Sequence, residues 1–163
     1  MKIFINCLIL IIMIKDSIRS YDLEVHPTKD VNDNHINGSL TVIWRDWDKK
    51  IPESTKMIYV SSVNPGESKG PHIHTKRNSH FVCIHGEVVF VIKEKNGNYK
   101  EIMSSEENPV MVYVPKNTSS AHINLSKNIS RVLTLADLSW HPNDNEMNND
   151  SFDDYNWSKW KKL

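Results

Sequence analysis

Residues 80–102, HFVCIHGEVVFVIKEKNGNYKEI, hold the pattern that decides the fold. "HFVCI" (80–84) and "EVVFVIK" (87–93) are short runs of β-branched and aromatic residues, parted by the reversal signal His85-Gly86, and runs of that length bounded by turn residues are read as strands. Beyond the second run, Asn96-Gly97 stands before "YKEI" (99–102). Asn-Gly between two strand-like runs predicts a type I′ hairpin turn, in which both central residues take positive φ. Residues 87–93 and 99–103 are therefore expected to pair as a hairpin.

The same period of two continues on both sides. "SLTVIWR" (39–45) puts Leu40, Val42 and Trp44 on one face, and "KMIYVSSV" (56–63) follows a connection containing Pro52. Downstream come "VMVYVP" (110–115), "SAHINL" (120–125) and "RVLTLAD" (131–137), with no convincing amphipathic helix anywhere. Eight or more short strands at this spacing predict an all-β sandwich or barrel, and the architecture that closes its edges with two Greek keys is the jelly roll.

At 163 residues the chain has the length of one domain with a substantial core. Hydrophobic residues at 39%, charged residues at 25% and equal numbers of acidic and basic side chains describe an ordinary globular protein. That balance excludes a partner recruited by charge, so neither nucleic acid nor an anionic membrane surface is expected. Cys7 and Cys83 occur in unlike contexts, an apolar leader and a strand. No structural disulfide is expected, and a reducing, cytoplasmic compartment is the default. The leader "MKIFINCLILIIMI" resembles the front of a signal peptide but is too short to span a membrane. No small-x-small cleavage site follows it. Residues 1–20 are read as an apolar leader or a start-site extension ahead of Met13, with export only if the leader is functional, and residues 21–163 as one domain. Several Asn-x-Ser/Thr sequons, such as Asn37-Gly-Ser39 and Asn124-Leu-Ser126, matter only in a secreted chain. The polar tail "HPNDNEMNNDSFDDYNWSKWKKL" (141–163) is expected to be an arm or short terminal helix anchored by Trp157 and Trp160.

Histidines carry the chemistry. His72 and His74 are i and i+2, so in a strand their side chains leave one face and converge. His80 follows a polar connection, and His122 follows Pro115. All four can be imagined at the mouth of a small barrel. There they serve either as proton carriers, since imidazole has an ordinary pKa of about 6.5, or as ligands of a transition metal.

Gly70-Pro-His72-Ile-His74, the strand ending at Gly86, and Pro115 with His122 resemble the two motifs of the cupin superfamily. Many cupins bind metal through H-x-H, a glutamate and a later histidine. Here the glutamate position is empty, because "TKRNSH" (75–80) holds no carboxylate. A narrower resemblance is to the sugar-nucleotide branch, the dTDP-4-dehydrorhamnose 3,5-epimerases and the dTDP-4-keto-6-deoxyhexose 3,4-ketoisomerases. "NHINGSL" (34–40), Lys69-Gly-Pro-His72-Ile-His74, "HFVCIHG", "VYVPKNTSSAH" and "FDDYNW" follow that group's order.

The resemblance implies a cupin jelly-roll barrel, a double-stranded β-helix, with a short N-terminal extension and a polar C-terminal arm. It further implies a homodimeric isomerase or epimerase that needs no cofactor and acts on a nucleotide-linked 4-keto-6-deoxy sugar. His72 matches the base, and His74 matches the second histidine of the ketoisomerases, a proton shuttle or partner. Lys69, Arg77 and Arg45 are candidates for the diphosphate, and His80, His122 and Tyr59 for other substrate contacts. Thr134 stands about where the epimerases carry an acid tyrosine, and Asn37-Gly38 where they carry Arg-Gly, both departures that favour isomerase over epimerase. Two alternatives stand beside this reading: a metal-binding cupin using His72, His74, His80 and His122, and a sugar-binding cupin without activity.

Overall fold

The computed structural model describes residues 17–47, 50–51 and 54–160. Its strands are β1 (Arg19–Asp22), β2 (Val25–Lys29), β3 (Ile36–Thr41), β4 (Met57–Val63), β5 (Ser68–His74) and β6 (Ser79–His85). They continue with β7 (Glu87–Lys93), β8 (Tyr99–Ser105), β9 (Val110–Val114), β10 (Ser119–Asn124), β11 (Ser130–Ala136) and β12 (Met147–Asn149). A single 3-10 turn, Trp157–Trp160, is the only helical element among the described residues. Two five-stranded antiparallel sheets form, β1-β9-β6-β11-β4 and β12-β5-β10-β7-β8, with β2 and β3 as a separate pair. This is the expected all-β jelly roll.

The long apolar runs are explained by burial on both faces. Alternate residues Val88, Phe90 and Ile92 of β7 meet Cys83, Val112, Val114 and Val132 of the other sheet in the central core. Their neighbours Val89 and Val91 turn outward, where Phe152, Tyr155, Trp157 and Trp160 of the C-terminal arm cover them together with Ala121 and Ile123. The first sheet has an outer layer too: Val82, Met111 and Leu135 pack under Ile51, Tyr21 and Ile43. A strand wet on one face reads as alternating, whereas one covered on both faces reads as a continuous run.

β7 and β8 pair as expected, from Glu87 opposite Ser105 to Lys93 opposite Tyr99. The turn differs from the expected type I′. Gly97 N donates to Glu94 O at 2.9 Å and Glu94 N to Asn98 O at 2.8 Å, with positive φ at Gly97 (87°) and not at Asn96. A type I turn with a left-handed glycine makes a three-residue loop, which needs positive φ at one position only. The strand expected over 39–45 also ends early, at Thr41. Beyond it Ile43 leaves the pleat to pack on the first sheet's outer layer, and Leu40, Trp44 and Trp47 remain exposed. Asn124, one of the sequon asparagines, is fully buried, its Nδ2 donating to Val63 O and Asn128 O. It is a structural tie between the sheets' ends. The leader, residues 1–16, lies outside the described residues, and among these no helix is long and apolar enough to cross a membrane.

Gly70 shapes the strand that carries the histidines. It sits at φ +86°, and a Cβ there would lie 2.6 Å from Ser120 O of the neighbouring β10. Gly70→Ala is expected to destabilise by roughly 3 kcal/mol through left-handed backbone strain plus displacement of a fixed carbonyl. Urea denaturation checks this, and a loss below about 1 kcal/mol would contradict the close approach.

Candidate active site

β5 brings Lys69, His72 and His74 to the inner surface of the second sheet. Facing them are Tyr59 and Ser61 of β4, Phe81 of β6 and Thr134 of β11. With Arg77, Ser120, His122 and Met147 these residues line a cavity of about 190 Å³. His72, His74, Lys69, Arg77, His122 and Tyr59 are thus brought together.

His80 and Arg45 are not. His80 leaves β6 on the same side as Val82, away from the cavity, and stacks on Tyr113 at 4.8 Å, with the Arg19 guanidinium 4.4 Å from the centre of the Tyr113 ring. Arg45 lies past the end of β3, where Nη2 bonds Glu24 Oε1 at 2.6 Å and the guanidinium stacks 4.3 Å from the centre of the Trp47 ring. Nor do the four candidate ligands converge. Among the described residues the one set of three or more His, Cys, Asp or Glu groups whose ligand atoms lie within 4.8 Å of one another is Asp30, Asp33 and His35, on the remote β2–β3 hairpin. The set of four histidines is not assembled, because His80 faces the other side of its sheet.

The neighbours of His72 and His74 come from β12 and the residue just before it, a segment of the tail expected to be an arm or short helix. Asn143 and Asn145 take left-handed conformations, which asparagine tolerates better than most residues. They turn the chain so that Met147 pairs with His74 and Asn149 with His72. Asn149 Oδ1 lies 3.1 Å from His72 Nδ1. An amide oxygen only accepts, so His72 carries its proton on Nδ1 and Nε2 is its basic nitrogen. The carboxylate of Glu146, 1% exposed, lies 2.9 and 3.1 Å from His74 Nδ1. On the other side of that ring, Arg77 Nη2 donates to His74 Nε2 at 2.9 Å.

Electrostatics keep the cavity's other imidazole neutral. Burial, helped by the charges of Lys69 and His72, pushes His122 down to about 4. Its Nε2 and the Thr134 hydroxyl are sheltered polar atoms without a hydrogen-bond partner. Such atoms carry a desolvation cost that a bound polar ligand relieves.

His80 is also pushed down to about 4, by burial first and then by Arg19, against the opposing pull of Asp137. Between an unfolded pKa of about 6.5 and that value the unfolded chain binds the extra proton, so stability falls as pH falls through this window. The loss is on the order of 3 kcal/mol for this residue. Urea midpoints at pH 7 and pH 4.5 are expected to differ less in His80→Gln than in the parent chain. Equal differences would contradict the assignment.

Residues 21–157 match the family described as FdtA: WxcM-like, C-terminal. The chain belongs to that family. The FdtA match takes in every residue of the cavity and both side chains that contact the histidines from the tail, Glu146 and Asn149. No curated protein sequence matches the chain. Among solved structures it is similar to a dTDP sugar isomerase from Desulfovibrio desulfuricans G20, at 14% identity and TM-score 0.74, over 88% of this chain and 92% of that one. ChmJ, a 3'-monoepimerase from Streptomyces bikiniensis in complex with dTDP-quinovose, superposes with TM-score 0.64 at 15% identity, over 81% of this chain and 68% of that one. The RmlC epimerase of Mycobacterium tuberculosis gives TM-score 0.66 at 14% identity, with the same coverages. Identities this low speak to the fold, and that fold is the cupin jelly roll expected of this FdtA-family chain.

Proposed function

We propose that the protein is an isomerase acting on a nucleotide-linked 4-keto-6-deoxy sugar by proton transfer next to the ketone. The observation that carries this reading is the state of His72: its Nδ1 proton is committed to Asn149, which leaves Nε2 as a base on the wall of a polar cavity. A ketone at C4 acidifies the C3–H bond, and a neutral imidazole is suited to take that proton near pH 7. The C–H electrons form the C3=C4 double bond, and the C4 oxygen becomes an enediolate. Returning the proton to C4, while the C3 hydroxyl proton passes to the C4 oxygen, leaves the ketone at C3. The Thr134 hydroxyl and His122 Nε2, buried and unpartnered, are the polar atoms that would meet the enediol oxygens. Preorganised donors of this kind stabilise developing charge without reorganising at the moment of reaction.

The names of the dTDP-sugar isomerase and of the epimerase holding dTDP-quinovose support the substrate class. Isomerase is favoured over epimerase because β11 presents Thr134 to the cavity where an epimerase would need a tyrosine acid. Of the two tyrosines that could replace it from other strands, Tyr113 is turned away against His80, and Tyr59 lines the cavity with the Arg77 guanidinium 5.8 Å from the centre of its ring. Exposed Lys69, at the cavity wall, is the cation proposed for the diphosphate. The experiment is incubation with dTDP-4-keto-6-deoxyglucose and NMR identification of the product. A 3-keto isomer supports the reading, whereas an epimer at C3 or C5 with the 4-ketone retained, or unchanged substrate, overturns it.

The assembly is proposed to be a homodimer. Ile58 (61% exposed) and Val60 on β4, and Ile84 on β6, lie on the two strands that flank β11 in the first sheet and point away from the core. Contiguous exposed apolar residues on a sheet face mark an association surface. Sedimentation equilibrium is expected to return twice the monomer mass, and a monomer at micromolar concentration would contradict it.

A further inference from the structure

Glu146 and Arg77 grip one ring from both sides. Glu146 is 72 residues from His74 in sequence, yet both its carboxylate oxygens lie within 3.1 Å of His74 Nδ1. Arg77 Nη2 is 2.9 Å from His74 Nε2, and Arg77 Nε is 3.4 Å from Glu146 Oε1. The three side chains are sheltered, at 1% exposure for Glu146, 8% for Arg77 and 16% for His74. The backbone of Glu146 is pinned as well, its carbonyl accepting from both Thr75 N and Thr75 Oγ1.

Donor and acceptor chemistry then leaves one arrangement. A guanidinium has no acceptor, so Nε2 must be the proton-free nitrogen that receives the Arg77 N–H, while a carboxylate has no donor, so Nδ1 must carry the proton. We propose that Arg77 and Glu146 are positioning residues that lock His74 as a neutral ring protonated on Nδ1, so that it fixes the wall beside His72 instead of carrying the substrate's proton. The catalytic half of this statement rests on the proposed isomerase reading. The lock itself does not. Burial and the Arg77 charge also push the His74 pKa down, against the opposing pull of Glu146. A plain ion pair tying the segment ahead of β12 to the 75–78 turn would require only the Arg77–Glu146 contact and would be indifferent to the tautomer of His74.

Two readouts on the full chain separate these possibilities. In the first, long-range 1H–15N correlation of the histidine rings at pH 7 is expected to show His74 with a protonated Nδ1 and a bare Nε2. The signal is assigned by its loss in His74→Asn. Arg77→Lys, which still offers a donor to Nε2, is expected to keep this pattern, and Arg77→Met to release Nε2 and mix the tautomers. A proton on Nε2 or on both nitrogens in the parent chain overturns the lock, as does an unchanged tautomer in Arg77→Met. The parent spectrum decides the matter even if Arg77→Met does not fold. In the second readout, Arg77→Met and Glu146→Leu are expected to lower kcat about tenfold with KM unchanged, and Arg77→Lys to restore most of it. A raised KM with unchanged kcat would instead make Arg77 a substrate contact and overturn its positioning role. If the parent chain does not turn over the sugar at all, the isomerase reading and the catalytic half fall together, while the ring spectrum still judges the lock.

Discussion

His72→Asn is expected to reduce turnover of a nucleotide-linked 4-keto-6-deoxy sugar by about a thousandfold, within the range that general acid–base groups supply. Two features set the size of the effect. The lost nitrogen is the basic Nε2 left after Nδ1 commits to Asn149. The adjacent imidazole is a poor substitute, because His74 already gives Nδ1 to Glu146 and receives Arg77 on Nε2. His72 is half-buried on a strand whose packing comes from its neighbours, so the melting temperature should stay within a few degrees of the parent. Steady-state kinetics beside a thermal melt checks both halves. Activity within tenfold of the parent in a folded variant would remove His72 from the role of base.

Phe152→Ala is expected to cost about 3–5 kcal/mol, the range for emptying a buried aromatic site. Phe152 is 3% exposed and packs edge-on against Tyr99 at 4.9 Å and stacked with Trp157 at 6.1 Å. It is the bolt between the C-terminal arm and the outer face of the second sheet. The consequence reaches the site, because β12 immediately precedes it and is only three residues long. Besides its pairing with β5, it is tied down by Asp150 N to Pro71 O at 3.1 Å and by Glu146 O to Thr75. Once the aromatic bolt is gone, β12 should open more readily than the barrel unfolds, in the manner of a weakly held local unit. Hydrogen exchange at the β12 amides should then rise by orders of magnitude beyond that of β7, and activity should fall with it. Equal acceleration in both strands would mean that the arm belongs to one cooperative unit with the barrel.

The fold was legible where pattern and topology agree. The β7–β8 hairpin announces itself through two strand-like runs around Asn96-Gly97, although the loop closes with one left-handed residue instead of two. His72 and His74 were legible because i, i+2 spacing in a strand admits one geometry. The face chosen by His80 was not legible. "HFVCI" is buried on both sides, so no polar alternation marks which residues look into the barrel and which into the outer layer. Arg45 was misplaced for a related reason: alternation over 39–45 continues past the point where Ile43 leaves the pleat for a tertiary contact.

Glu146 and Asn149 could not have been found by periodicity. They lie 72 and 77 residues from the histidines they hold, in an Asn-rich tail whose strand is too short to show a pattern. The usable signal was chemical. Paired imidazoles need partners that settle their tautomers, and the tail is rich in side chains able to do so. The match of "FDDYNW" to the family's terminal stretch pointed to the same segment, since Phe152, Tyr155 and Trp157 are the residues that dock it.

The central claim is that His72, held by Asn149, moves a proton next to a sugar ketone. Incubating the protein with dTDP-4-keto-6-deoxyglucose in heavy water and following the sugar protons by NMR tests it most directly. Deuterium is expected to enter at the reacting carbons, C3 and C4, and to vanish from the product in His72→Asn. A parent chain that leaves every sugar proton in place, or a His72→Asn variant that exchanges as fast as the parent, would contradict the account.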